Sequence, residues 1–199
     1  AHPLFAVRMC AALGVDGTRK RRTELVKLLA HHPAEHLSDK LRLASLALDC
    51  DAPQPVEEVT TAAQEALRLG DLWLAERLAR AAVERSGGLD ARLVLGQALG
   101  WLGRGREAGA VLAAVDPAEL SEPELIAWAV PRAANQFFML GEPEKATAFL
   151  QTTRGRLTDP AARTVLDGLS ATFAMNSGNL RRAMTLATEV LSGSSASDM

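Results

Sequence analysis

The sequence predicts an all-α protein built from antiparallel helix hairpins stacked side by side, and three observations carry that prediction. Glycines at 70, 103, 141 and 178 recur at spacings of 33, 38 and 37 residues. Each is followed five residues later by alanine (Ala75, Ala108, Ala146, Ala183) and four residues after that by an apolar residue (Ala79, Leu112, Leu150, Ala187). A turn glycine followed by a small close-contact residue and a larger apolar one is the phase of a repeated hairpin that must stack on neighbours to bury its face. The third observation is composition. Apolar residues make up 48% of the 199 residues, but aromatics only 4%, with no Tyr. Ala and Leu fill the core, which favours closely packed helices over a sheet.

The clearest unit runs from Leu95 to Val115. Gly103 marks the turn, Ala108 is the close-contact point of the second helix, and Leu99 and Leu112 fill the space between. Ahead of the regular pattern, a short helix through Leu4, Val7, Ala11 and Ala12 is expected to end at Gly14. Asp16 or Thr18 can cap the next helix, Arg19 to His31, which His32-Pro33 breaks. A third helix is expected over 37–49 with Ser38 as its cap. Ala52-Pro53-Gln54-Pro55 is the strongest punctuation, since two prolines one residue apart cannot lie inside a helix.

From Val56 the expected pairs are 56–69 with 71–85, 89–102 with 106–115, 123–140 with 144–153, and 161–176 with 180–191. Ser121, Pro123 and Glu124 form a capping box with proline in the permissive first turn. Pro131, inside a helical pattern, is expected to kink its helix. The organisation read from this is a helical segment over 1–52, four repeats over 53–193 and a disordered tail over 194–199.

The formal net charge is −2, so the chain carries no broad electrostatic footprint for nucleic acid. Two cysteines, Cys10 and Cys50, are too few for a disulfide framework and fit a reducing, cytoplasmic setting. No membrane span or signal peptide is visible. Opening on Ala1 within a helical pattern, the chain reads as a piece of something longer.

The repeat resembles the tetratricopeptide repeat over residues 56–191, best in the second unit, where Leu95, Gly96, Leu99, Gly103, Ala108 and Leu112 occupy the family's diagnostic positions. The first-helix Trp and closing Pro of that family are missing, and two units are longer than usual. The resemblance implies a right-handed superhelix. A second resemblance rests on three stretches in order: His2-Pro3-Leu4-Phe5, the basic run Arg19-Lys20-Arg21-Arg22, and 41–49 (LRLASLALD). An Ala-rich helix and 74–82 (LAERLARAA) follow them. This succession is similar to the region after the ATPase module of large LuxR-type, maltose-regulator-like transcriptional regulators. It implies that residues 1–52 end the ATPase module's helical part and that the repeats sense a ligand or partner. ATP and DNA binding would then belong to the parent protein, since no phosphate loop or DNA-reading helix is found here.

No catalytic pattern stands out, so no enzyme is expected and no cofactor within this stretch. The chain contains no GxxxxGK[ST], HExxH or CxxC. Glycines 103, 105 and 109 follow a helix rather than a strand and have a packing role, and Ser170 sits in a helix without the last glycine of a nucleophile elbow. His31, His32 and His36 with Glu35 are the best metal-ligand types, but Pro33 interrupts the helix that would align them, and no metal is expected. The Arg19, Lys20, Arg21, Arg22 run at a helix start opposes the helix dipole and is expected to meet an acidic surface of a neighbouring module.

In the repeat family the first helix of each hairpin lines a concave groove. Six residues before the turn glycines stand Gln64, Gln97, Asn135 and Thr172, with Leu67, Arg68, Trp101, Phe138, Met139 and Met175 at flanking positions and Trp128 and Arg132 further back. Polar groups for register interleaved with aromatic area for affinity suit a peptide, protein or small effector. Phe137, Phe173 and Trp73 are expected in the core. The family's clamp for a peptide carboxylate uses Lys and Asn where this chain has Thr60, Leu93, Gln64 and Gln97, so a chaperone-tail clamp is not expected. The function this implies is a non-catalytic sensor segment of a LuxR-type regulator. The alternative is a stand-alone adaptor that assembles other proteins through the same groove.

Overall fold

The computed structural model describes residues 3–31, 36–51, 54–85 and 88–195, and among them the chain is all-helical with no strand. The helices are α1 (Pro3–Ala30), α2 (Leu37–Ala47), α3 (Val56–Arg68), α4 (Leu72–Arg85), α5 (Leu89–Trp101), α6 (Gly105–Ala113), α7 (Glu122–Ala134), α8 (Pro143–Arg154), α9 (Pro160–Asn176) and α10 (Leu180–Ser195). A 3-10 turn lies at Pro117–Glu119, and a π turn, Asn135–Met139, continues α7. No helix among the described residues is long and apolar enough to cross a membrane. The chain forms two compact units, Ala1–Val94 and Leu95–Met199.

In the first unit, Gly14 breaks α1 with φ 67 and ψ −178, a backbone state that side chains exclude. Helix resumes immediately, so Asp16 and Thr18 lie within it rather than capping it. The N-cap of α2 is His36, not Ser38, and its side chain makes no capping bond. Val26, Ala47 and Cys50 form a small core under Leu43 and Leu46. The hairpin of α3 and α4 is tighter, with Val59, Ala63, Ala66, Ala75, Leu78, Ala79 and Ala82 all buried. Trp73 departs from expectation: it is 66% exposed on the first turn of α4, where the hairpin offers no interior. Ala52 and Pro53, which carry much of the proline punctuation, lie outside the described residues, as do His32, Pro33 and Glu35.

The second unit is held by close approach at small residues. A Cβ on Gly96 would meet Leu112 at 2.9 Å, and one on Gly105 would meet the Met139 Cβ at 2.5 Å. Ala108 and Ala146, the alanines five beyond their turn glycines, are fully buried, as are Leu99 and Leu112. The capping box of α7 forms as expected, with the Ser121 amide donating to Glu124 at 2.9 Å. Glu122, on the first turn of the same helix, pins the later loop: the Thr158 and Asp159 amides donate to its two oxygens at 2.7 and 3.0 Å. The hydrogen bond from the Thr158 hydroxyl, then those from the two amides, holds the Glu122 carboxyl below its usual range. At its other end α10 runs to Ser195, beyond the tail boundary expected at 194, and residues 196–199 are outside the described set.

Two glycine substitutions and a pH series test this packing. Gly105→Ala is expected to cost about 1–3 kcal/mol of unfolding free energy in urea, because its new Cβ meets backbone-anchored atoms. Gly100→Ala, with open space and an ordinary helical φ, is expected to gain about 0.5–1 kcal/mol. The pH series concerns Glu122. Because Glu122 is lowered in the folded state, its contribution is complete above the unfolded carboxylate pKa. It is lost as pH falls through the folded value. Tm measured from pH 7 down to pH 2 should therefore fall less steeply in Glu122→Gln than in the parent chain.

Candidate functional site

The hairpin turns determine where the expected site residues go. After Gly70, Gly103 and Gly178 the next residue donates to the carbonyl five back: Asp71 to Ala66, Arg104 to Leu99, Asn179 to Ala174. The glycine itself donates three back, which with its positive φ is the Schellman ending that satisfies orphan carbonyls. At Gly141 the bond from Glu142 instead reaches six back, to Gln136, and Leu140 donates five back to Asn135. One extra residue is held in the final turn, the signature of π geometry. The helix carries Pro131, which leaves the Ala127 carbonyl without its helical donor, and the irregularity comes a turn later as this widened turn.

That extra residue shifts the register. Matched by hydrogen bonds, Gln136 corresponds to Ala66, Leu99 and Ala174, so Asn135 corresponds to Ala98 and Phe173 rather than to Gln97 and Thr172. Burial agrees. Gln64, Gln97 and Thr172 are exposed, whereas Asn135, Ala98 and Phe173 are buried. Asn135 is thus an interior residue: its Nδ2 donates to the Gly105 carbonyl at 2.9 Å, and Gly105 and Gly109 leave it room. Its Oδ1 is buried with no hydrogen-bond partner. By the same shift Trp128 matches Ala91 and Leu166, all three buried.

Trp128 and Arg132 likewise serve packing. The Trp128 indole donates to the Leu112 carbonyl at 2.7 Å, and Arg132 Nη1 approaches the same oxygen at 3.4 Å. The Arg132 guanidinium lies 4.8 Å from the Trp128 ring centre and 5.3 Å from that of Phe149. The two rings meet edge to face at 5.5 Å. A cation at the last turn of α6 complements its dipole and joins three helices. Partial burial pulls the Arg132 pKa down from its ordinary value.

Among the apolar side chains this unit exposes is a set of large ones two or three residues before successive turn glycines. They are Trp101 (75% exposed), Phe138 (47%), Met139 (48%) and Met175 (56%). Gln97 and Thr172 are exposed a turn further back. Phe138 is supported from beneath, with its ring edge-on to Phe137 and Phe173 at 4.8 and 5.8 Å. Phe137 and Phe173 stack at 4.2 Å, the core role expected of Phe173, while Phe137 stays half-buried. A shallow cavity of about 320 Å³ lined by Gly103, Arg104, Glu107, Met139 and Leu140 adjoins Met139. Met139, two before Gly141 as Trp101 is two before Gly103, is exposed at the flanking position expected for it.

In the first unit Gln64 and Arg68 are exposed, and Arg68 pairs with Glu65 at 2.9 Å. The basic run finds its acids within the same unit: Arg19 pairs with Asp51 at 2.6 Å and Arg22 with Asp49 at 2.8 Å. Arg21 pairs with Glu24 at 2.9 Å, while Lys20 is exposed. These pairs are solvent-exposed and worth little to stability. A cavity of about 810 Å³ lies here between Gly14–Arg22 and Leu48–Cys50, and its charged groups are the ones just paired. The His31 ring nitrogen donates to the Lys27 carbonyl, and among the described residues no group of His, Cys, Asp and Glu is assembled to hold a metal.

Compared with family models, curated proteins and solved structures, the chain matches none. Its function is therefore argued from the surface itself. Asn135→Ala discriminates an interior role from a ligand-contacting one. With the Gly105 carbonyl deprived of its donor, unfolding free energy is expected to drop by about 1–3 kcal/mol, whereas an exposed contact residue would leave it unchanged.

Proposed function

We propose that this chain is a non-catalytic sensor and interaction segment, a tetratricopeptide-like right-handed superhelix within a LuxR-type, ATPase-containing transcriptional regulator. Its partner, a peptide, protein or small effector, is held on the apolar row of Trp101, Phe138, Met139 and Met175, with Gln97 and Thr172 beside it. One observation carries the reading: three successive hairpins each expose a large apolar side chain just before the turn glycine. In a chain with 4% aromatic residues, a Trp, a Phe and two Met at recurring positions before the turns offer a partner apolar area to cover.

Aromatic and Met side chains on a supported base are the residue types that dominate binding energy at interfaces. The Phe137–Phe173 stack fixes Phe138 before a partner arrives, so little side-chain freedom remains to be lost. Regulation then follows from linkage. A partner that binds one packing of the repeats more tightly than another shifts the parent regulator between its states by that difference. ATP and DNA binding are assigned to the parent protein's other modules.

The experiment is Trp101→Ala with Phe138→Ala in the full-length regulator, following how its inducing signal changes nucleotide exchange and DNA binding. Each truncation is expected to weaken partner binding by about 2 kcal/mol, roughly thirtyfold. Trp101 is 75% exposed, so Trp101→Ala should leave Tm close to that of the parent; Phe138→Ala also loses its edge contacts to Phe137 and Phe173, so its binding is compared below its own Tm. An undiminished response in the double variant contradicts the reading.

A further inference from the structure

Within the first unit, α2 and α3 follow one another along the chain yet leave a cavity of about 420 Å³ between them. Its two walls differ in kind. From α2 come Leu37, Leu41 and Ala44, one helical face at i, i+4 and i+7, with Leu41 and Ala44 buried. From α3 and the residue two before it come Gln54, Glu57, Glu58, Thr61 and Glu65, together with the buried Ala62. The apolar stripe of α3, Val59, Ala63 and Ala66, lies in the hairpin with α4. A polar stripe is thus left to face α2. Such walls do not close on each other, because carboxylates pressed against leucines lose water and gain no partner. The cavity is the outcome, and it lies between consecutive helices rather than on the outer face of a first or last one.

The charges around it are unbalanced. Glu65 pairs with Arg68 at 2.9 Å, but among the described residues Glu57 and Glu58 form no ion pair, and neither does Lys40, a cation of the lining. Both acids complement the dipole at the start of α3, which accounts for their place on the helix but not for the apolar wall opposite. Gln54 points the same way. Its Nε2 donates to Glu58 at 3.3 Å, which fixes the orientation of the amide, since the reverse would set two oxygens against each other. Its Oε1 is buried with no hydrogen-bond partner. This wall therefore holds an acceptor that lacks only a donor.

We propose that the cavity binds an aliphatic ammonium ion. Its hydrocarbon body rests on Leu41, Ala44 and Ala62, and its cationic head donates to Gln54 Oε1 and lies against Glu57 and Glu58. An ammonium carries three donors and no acceptor, the complement of these oxygens. An anion meets carboxylates there, and a neutral alcohol leaves them without a counter-charge. The volume is that of a small-ligand site. The same head and body occur in a free amine and in the lysine side chain of a peptide. The site is built from the first unit alone and does not rest on the row of Trp101, Phe138, Met139 and Met175.

The test is an NMR titration of the full chain with pentylammonium, pentanol and pentanoate, which share one type of hydrocarbon body. Pentylammonium is expected to shift the Gln54 side-chain amide and the Ala44 and Ala62 methyl resonances saturably. It should bind about tenfold or more tightly than pentanol, with pentanoate weaker still. Glu58→Gln keeps the shape and removes a charge, and Gln54→Met removes the orphan acceptor. Each is expected to weaken pentylammonium by about tenfold and to leave pentanol unchanged. Acetyl-lysine amide separates the two sources: saturable binding tighter than that of pentylammonium supports the site as one for a peptide side chain, and weaker binding supports it as one for a free amine. Pentanol or pentanoate binding as tightly as pentylammonium, shifts that do not saturate, or an affinity unchanged in both variants overturns the proposal.

Discussion

Close approach of helix backbones at residues without bulky side chains is the constraint on which the second unit depends. Gly105 brings α6 to the widened turn after α7, Gly96 admits Leu112, and Ala108 and Ala146 let each hairpin close on itself. Such contacts gain dispersion energy over many atoms but tolerate no added carbon where the facing atoms are anchored to backbone. They also determine what is left outside. With small residues filling the interior, the larger apolar groups near each turn have no space within and stand at the surface.

The same economy explains the polar interior. Asn135 is buried because two glycines leave a slot for its amide, and its donor answers a backbone carbonyl at the start of α6. Trp128 and Arg132 converge on the carbonyl of Leu112 at that helix's other end. One helix is thus held at both ends by side chains of the next, and at its C-terminal end the Leu112 carbonyl, one of the acceptors a helix end leaves unpaired, is met by the next hairpin.

Much of this was legible before any coordinates. All four turn glycines have positive φ, the alanines five beyond the first three of them are fully buried, and the Ser121–Glu124 box forms. These features are local, and local chemistry specifies them. The placement of Asn135 was not legible, because counting back from Gly141 assumes a constant helical repeat and the π turn inserts one residue. Trp128 was misplaced for the same reason. Trp73 was misread for another: its size suggested burial, but whether a turn-proximal side chain finds an interior depends on a neighbour the sequence does not name. Nor does a run of cations say whether its acids are near or distant, and Asp49 and Asp51 lie well over twenty residues from the arginines they pair with.

The close approach of α6 to the turn after α7 can be observed directly in solution by isotope-edited NMR. The account predicts nuclear Overhauser contacts between the Gly105 α-protons and the Met139 β-protons, together with slowly exchanging Asn135 side-chain amide protons. Absence of those contacts, with a rapidly exchanging Asn135 amide in a chain that is still helical, would contradict it.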